Sequence, residues 1–151
     1  MYLAALSPLL LLAAAALALR WPGRRPGPWP RMAEAAALAA LALVLAGAAS
    51  FAAGRASDAQ IAGGLLRLDV VTTVMTCLVG LVGWVVTRFA RSYLDGEARE
   101  GTFHGLILAT VAAVLLLVQA GHVAVMLGAF VAIGLTLRRL LLFYPDRAEA
   151  R

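Results

Sequence analysis

The sequence predicts an all-α fold, an integral membrane helical bundle of about five transmembrane helices, and three observations carry that prediction. Hydrophobic residues make up 63% of the 151 positions and charged residues only 14%, against roughly 45–50% and about 25% in soluble domains. The charges sit between long apolar runs instead of being spread through them. The 13 basic residues, every one an arginine, are unevenly shared among the connectors. So little polar surface could not wrap a water-soluble particle of this size, so the chain belongs in a lipid bilayer.

The first span covers residues 1–19, uncharged and interrupted only by Ser7 and Pro8. A secretory signal peptide carries its positive charge before the apolar stretch. Here Arg20, Arg24, Arg25 and Arg31 follow it, which predicts a retained helix. The second span, 35–53, is mostly alanine, with Leu38, Leu41, Leu43, Val44, Leu45 and Phe51. Small side chains let helix backbones approach closely, so this span is expected to pack against other helices. The third, 70–87, is entered through Leu65-Leu66-Arg67-Leu68-Asp69. Its Thr73, Thr76, Cys77, Gly80 and Gly83 recur every three or four residues, placing them on one face for a helix contact. Trp84, near the end of the run, is expected to anchor at the lipid headgroups.

From Phe103 to Leu137 there are 35 residues without Arg, Asp or Glu. As one helix they would reach about 52 Å, far more than a hydrocarbon core of about 30 Å. Gln119-Ala120-Gly121-His122 is the polar cluster near the middle. A tight hairpin of 103–118 and 123–143 follows, with Arg138 and Arg139 snorkelling to water at the membrane face. Residues 1–151 are thus expected to form a single transmembrane domain.

Arginines set the orientation. Segments 20–31, 88–99 and 138–151 hold four, three and four of them, eleven in all, and the opposite connectors hold only Arg55 and Arg67. By the positive-inside rule the N-terminus is expected to lie outside and the C-terminus in the cytoplasm. The first connector, Trp21 to Pro30, is too rich in proline to be helical by this reading. Its arginines and tryptophans also suit nucleic acid, but a short loop between two spans has no room for a binding module, so no nucleic acid is expected.

Little chemistry is available. The chain has no lysine to meet a phosphate, and its single cysteine, Cys77, excludes an internal disulfide and reads as an inert buried thiol. His104 and His122 flank opposite ends of the fourth span, so they cannot share a metal, and each is expected to be a solvated helix-end residue. Every acid (Glu34, Asp58, Asp69, Asp95, Glu97, Glu100, Asp146, Glu149) falls at or beyond a predicted helix end. Proton and ion pathways are normally marked by ionisable groups inside the spans. No catalytic, cofactor-binding or metal-binding residue is assigned, and the chain is not expected to be an enzyme. His122, at the hairpin turn, is the one candidate relay.

The stretch Trp84-Val85-Val86-Thr87-Arg88-Phe89-Ala90-Arg91-Ser92-Tyr93-Leu94-Asp95-Gly96, with Arg67-Leu68-Asp69 before it, resembles the antiporter-like membrane subunits of respiratory complex I, chain L type. The ending Leu140-Leu141-Leu142-Phe143-Tyr144-Pro145-Asp146-Arg147 is most similar to the branch that serves bacterial inorganic-carbon accumulation, the DAB-type uptake system. The resemblance covers residues 65–151 by sequence and 1–64 by span order. It implies the first third of a subunit with a dozen or more spans, from a split gene or a truncated reading frame. The other antiporter-like helices would then lie on a second chain or in a missing C-terminal part. It further implies cation coupling, and a large soluble zinc-binding partner that holds the zinc this chain lacks. At Leu127-Gly128-Ala129-Phe130 a phenylalanine stands where the complex I branch has a glutamate, and Arg138 stands where the carbon branch would have histidine. Arg138, Arg139, Arg91, Tyr93, Asp95 and Asp69 are candidate partner contacts or topology anchors. The expected function is a membrane subunit of a cation-coupled carbon dioxide or bicarbonate uptake complex. The alternatives are a complex I or cation/proton antiporter subunit, and a helical scaffold without transport.

Overall fold

The computed structural model describes residues 2–21, 28–55, 58–93 and 99–143. Five helices long and apolar enough to cross a membrane dominate it: α1 (Tyr2–Arg20), α2 (Trp29–Ala52), α3 (Val70–Tyr93), α4 (Glu100–Gln119) and α5 (Val123–Leu141). The fold is the all-α membrane bundle that the composition predicts. One element was not foreseen: strands β1 (Ala59–Ile61) and β2 (Leu66–Leu68) pair antiparallel between α2 and α3.

Helix packing in lipid rests on close van der Waals contact more than on hydrophobic driving force, and small residues supply it here. Leu11 and Ala15 of α1, Ala33, Ala37 and Ala40 of α2, and Leu108, Ala112 and Leu115 of α4 form one buried cluster. One face of the alanine-rich span is therefore packed against other helices, as its composition predicts, while Met32, Leu38 and Leu45 on the other are exposed. A Cβ on Gly47 would come 2.8 Å from that of Ala4, and one on Gly105 would meet Leu19 and Ala18 at 3.0 and 3.2 Å. Across α3, Thr76, Gly80, Gly83, Thr87 and Ala90 are buried at the expected spacing, with Gly83 against Val111 of α4. Cys77 and Thr73 lie only at the margin of that face. Helix α4 is the hub, packed against α1, α2, α3 and α5, whereas α5 rests mainly on α4.

Three boundaries differ from expectation. Helix α2 begins at Trp29, with Pro30 inside its first turn, because the first turn of a helix has no use for the donor that proline lacks. Helices α3 and α4 extend past the apolar runs to Tyr93 and back to Glu100. At 24 residues, α2 and α3 are each about 36 Å long, more than a hydrocarbon core of about 30 Å requires. Glu34 consequently lies within α2 and not at its end.

The hairpin turns through Ala62, Gly63 and Gly64, with φ of 55°, 70° and 91°, left-handed values that the two glycines adopt without steric cost and that cost Ala62 about 1–2 kcal/mol. Leu66 bridges to Ala120, and the Gly121 N–H donates to the Leu65 carbonyl at 2.9 Å. The sheet is thereby stitched to the turn between α4 and α5. Successive helices run antiparallel, so one end of the bundle collects Arg20, Arg31, Glu34, Arg88, Arg91, Arg99, Arg138 and Arg139, while the hairpin end carries Arg55 and Arg67. Arg24, Arg25, Arg147 and Arg151 lie outside the described residues.

Candidate functional site

At the arginine end, Glu34 of α2 faces α3. Arg91 donates to its Oε2, and Arg88 approaches Oε1 at 4.0 Å. The carboxylate is 16% exposed, and the two arginines are 41% and 65% exposed. Arg88 also lies over the Trp84 ring, 5.6 Å from its centroid, a favourable place for a cation. Trp84 packs against the central cluster, and its Nε1 is buried without a partner among the described residues. It is therefore part of the α2–α3–α4 contact, because α3 runs on for nine residues beyond it, and the expected headgroup anchor is not found. Arg91, a candidate partner contact or topology anchor, is half-buried in this ion pair. Tyr93 is 74% exposed and stacks on Phe89 with ring centroids 5.9 Å apart. Asp95 lies outside the described residues.

Arg99 closes the same end. Its guanidinium donates to the Phe143 carbonyl at 2.8 Å and lies 4.8 Å from the centroid of that ring. Phe143 in turn meets Phe103 edge-on at 5.2 Å. This fastens the turn that follows α5 to the start of α4. Arg138 and Arg139, in the last turn of α5, are exposed and make no ion pair among the described residues.

His104 is the residue that sequence reasoning misplaced. It is not solvated: its exposure is 0%, and neither ring nitrogen has a hydrogen-bond partner among the described residues. It lies on the buried stripe of α4 with Leu108, Ala112, Leu115 and Gln119, at increments of four and three residues that keep one face inward. Gly105, its neighbour, seats against Ala18 and Leu19, so the ring is held near the arginine end of α1. An ionisable side chain inside a membrane span is costly and marks a functional position by default.

At the hairpin end, Asp69 caps α3. The Thr72 N–H donates to its Oδ1 at 2.8 Å, and Arg67 pairs with Oδ2 at 3.2 Å. The Thr72 backbone N–H, then its side chain, hold this carboxyl below the usual range, and Arg67 adds to the effect. A lowered carboxylate contributes stability that is present above its unfolded value, about 3.9, and lost as pH falls through the lower folded value. Hydrogen exchange at the start of α3 should therefore rise as pH drops below about 4, and Asp69→Asn should abolish that rise. His122 is exposed, and its Nδ1 accepts the Ala124 N–H at 3.1 Å as the N-cap of α5. The candidate relay is thus about 24 Å along α5 from Arg138 and Arg139. No group of three or more His, Cys, Asp or Glu that could hold a metal occurs among the described residues.

No protein-family model matches the chain. Two curated relatives do. The probable inorganic carbon transporter subunit DabB2 of Halothiobacillus neapolitanus is 37% identical over 91 residues, which is 58% of this chain and 16% of that protein. The probable inorganic carbon transporter subunit DabB of Hydrogenovibrio crunogenus is 29% identical over 92 residues, 60% of this chain and 18% of that protein. The chain spans about a sixth of the length of the curated relatives it matches. A bundle of five membrane-type helices, with its cations gathered at one end among the described residues, thus aligns over 58–60% of its length with a segment of those proteins. Over that stretch the chain is a homologue of the DabB-type inorganic carbon transporter subunits.

Proposed function

We propose that this chain is part of the membrane subunit of an inorganic carbon uptake system, set in the bacterial inner membrane with its arginine end in the cytoplasm. The observation that carries the reading is the similarity over some ninety residues to two proteins named as subunits of such transporters. In this proposal cation movement, of protons by preference, is coupled to uptake, and the further antiporter-like helices come from the rest of the chain or from a second one. Zinc chemistry belongs to a large soluble partner. That partner docks at the cytoplasmic end, where Arg138 and Arg139 are exposed and unpaired among the described residues and Tyr93 presents an open ring. The orientation rests on the eleven-to-two arginine asymmetry.

The test is co-purification of the tagged chain with its gene neighbours, scored for zinc and for labelled bicarbonate uptake in cells. Recovery of a zinc-containing partner and uptake that depends on this chain are expected. A chain that purifies alone, in cells whose uptake does not need it, overturns the reading. One observation favours the scaffold alternative. Among the described residues the only acid inside a helix beyond its first turn, Glu34, is bound to arginine.

His122 is tested separately. His122→Ala should leave insertion intact and weaken the N-cap of α5 by about 1 kcal/mol, which His122→Asn should restore. In the assembled complex, a relay role requires bicarbonate uptake by His122→Ala to lose its pH dependence. Full uptake across pH would remove His122 from the pathway.

A further inference from the structure

Helix α1 contains a break in its own hydrogen bonding. Pro8 lies inside the helix and has no N–H, so the carbonyl four residues earlier, that of Ala4, loses its helical donor. A bare carbonyl is poorly tolerated at membrane depth unless another group donates to it. Two side chains do so. The Ser7 hydroxyl donates at 2.7 Å from within α1, and the Gln119 amide Nε2 donates at 3.2 Å from the last turn of α4. Ser7 and Gln119 are both 0% exposed and Ala4 is 6% exposed, so no bulk water competes for these bonds.

The inter-helix half of this arrangement is a single bond. Gln119 Oε1, the other polar atom of the amide, is buried with no partner among the described residues. The last torsion of a glutamine side chain is broad, so one rotation withdraws the donor from Ala4. Beyond the break, the lipid-facing side of this stretch is open: Leu3 and Leu6 are 45% and 48% exposed. Gln119 also immediately precedes Ala120, the residue that bridges to β2.

We propose that Pro8 and Gln119 act as a pair, a hinge in α1 and the latch that closes it. With the latch engaged, segment 2–7 continues the line of α1 against α2 and α4. With the amide withdrawn, that segment swings about Pro8. The hairpin governs the latch, because a shift of β2 moves Ala120 and with it the Gln119 backbone. Nothing in this device involves the carbon-transport reading, so either can fail alone.

The experiment is a double-substitution cycle on the full chain in lipid nanodiscs, with a nitroxide label at Leu3→Cys in a Cys77→Ala background. Gln119→Leu should raise the mobile fraction of the label about fivefold, the factor that one ordinary hydrogen bond is worth. Pro8→Ala returns an N–H to the Ala4 carbonyl, and Gln119→Leu in that background should leave the label almost unmoved. Equal mobilisation in both backgrounds means that Gln119 acts by packing alone, and no mobilisation in either means that there is no latch; each overturns the proposal. Gln119→Met, which keeps the length and removes the donor, carries the same test if the leucine variant does not fold.

Discussion

Gly83→Ala is expected to part α3 from α4 and to cost about 1–3 kcal/mol of bundle stability, the usual range for overpacking a well-filled contact. The added Cβ would lie 2.6 Å from Val111 Cγ1 and 3.2 Å from Cγ2. Valine cannot turn away easily, because a β-branched side chain in a helix has essentially one rotamer. The helices themselves must therefore move, and the Arg88 and Arg91 contacts to Glu34 on the adjoining face of α3 move with them. Gly134→Ala is the matched control, since a Cβ there meets nothing within 4 Å. Denaturation of the two variants in mild detergent, titrated with a harsher one, gives the comparison. Val111→Ala should rescue Gly83→Ala, and equal stability of the two glycine variants would remove Gly83 from the α3–α4 seam.

His104→Leu should act in the opposite sense on stability and harm function. A neutral imidazole has one donor and one acceptor, and both of these are buried unpaired among the described residues. Replacing such a group by an apolar one of similar bulk relieves a desolvation cost of about 1–3 kcal/mol, offset in part by imperfect packing. The isolated chain should therefore unfold at a higher temperature with leucine at 104. In the carbon-uptake complex proposed above the same variant should lose bicarbonate uptake, since an ionisable side chain inside a membrane span marks a functional position by default. A variant that is stabilised and fully active would make His104 a passive member of the core.

How legible these features were depended on what hydropathy measures. It follows the hydrocarbon layer, so α1 and α5 were placed within two residues of their observed ends. It does not follow helix that continues past that layer, so the last turns of α3 and the start of α4 were missed; the start of α2 was missed because prolines were read as excluding helix, although a first turn accepts Pro30. The burial of alanines 33, 37 and 40 and of glycines 80 and 83 was readable, because small residues at helical spacing have one common use in a bilayer. The hairpin was hidden in a short, weakly patterned connector. His104 was misjudged because a histidine near a span end has two environments open to it. The deciding signal was present nonetheless: it shares a face with Leu108, Ala112 and Leu115, and Gly105 beside it admits α1. The pairing of Pro8 with Gln119 joins residues 111 positions apart in the chain, and no local pattern announces it.

The central place of α4 bears on how the polypeptide is made. Three spans must leave the ribosome and enter the bilayer before the one that fills the space among them exists. Until then the alanine faces of α1 and α2 and the glycine face of α3 have no final neighbour, and a nascent intermediate with such surfaces is open to misassembly. Release of α4 from the translocon is therefore expected to be the committing step in biogenesis. A stall placed just before it should leave a protease-sensitive precursor, and one placed just after it a resistant one.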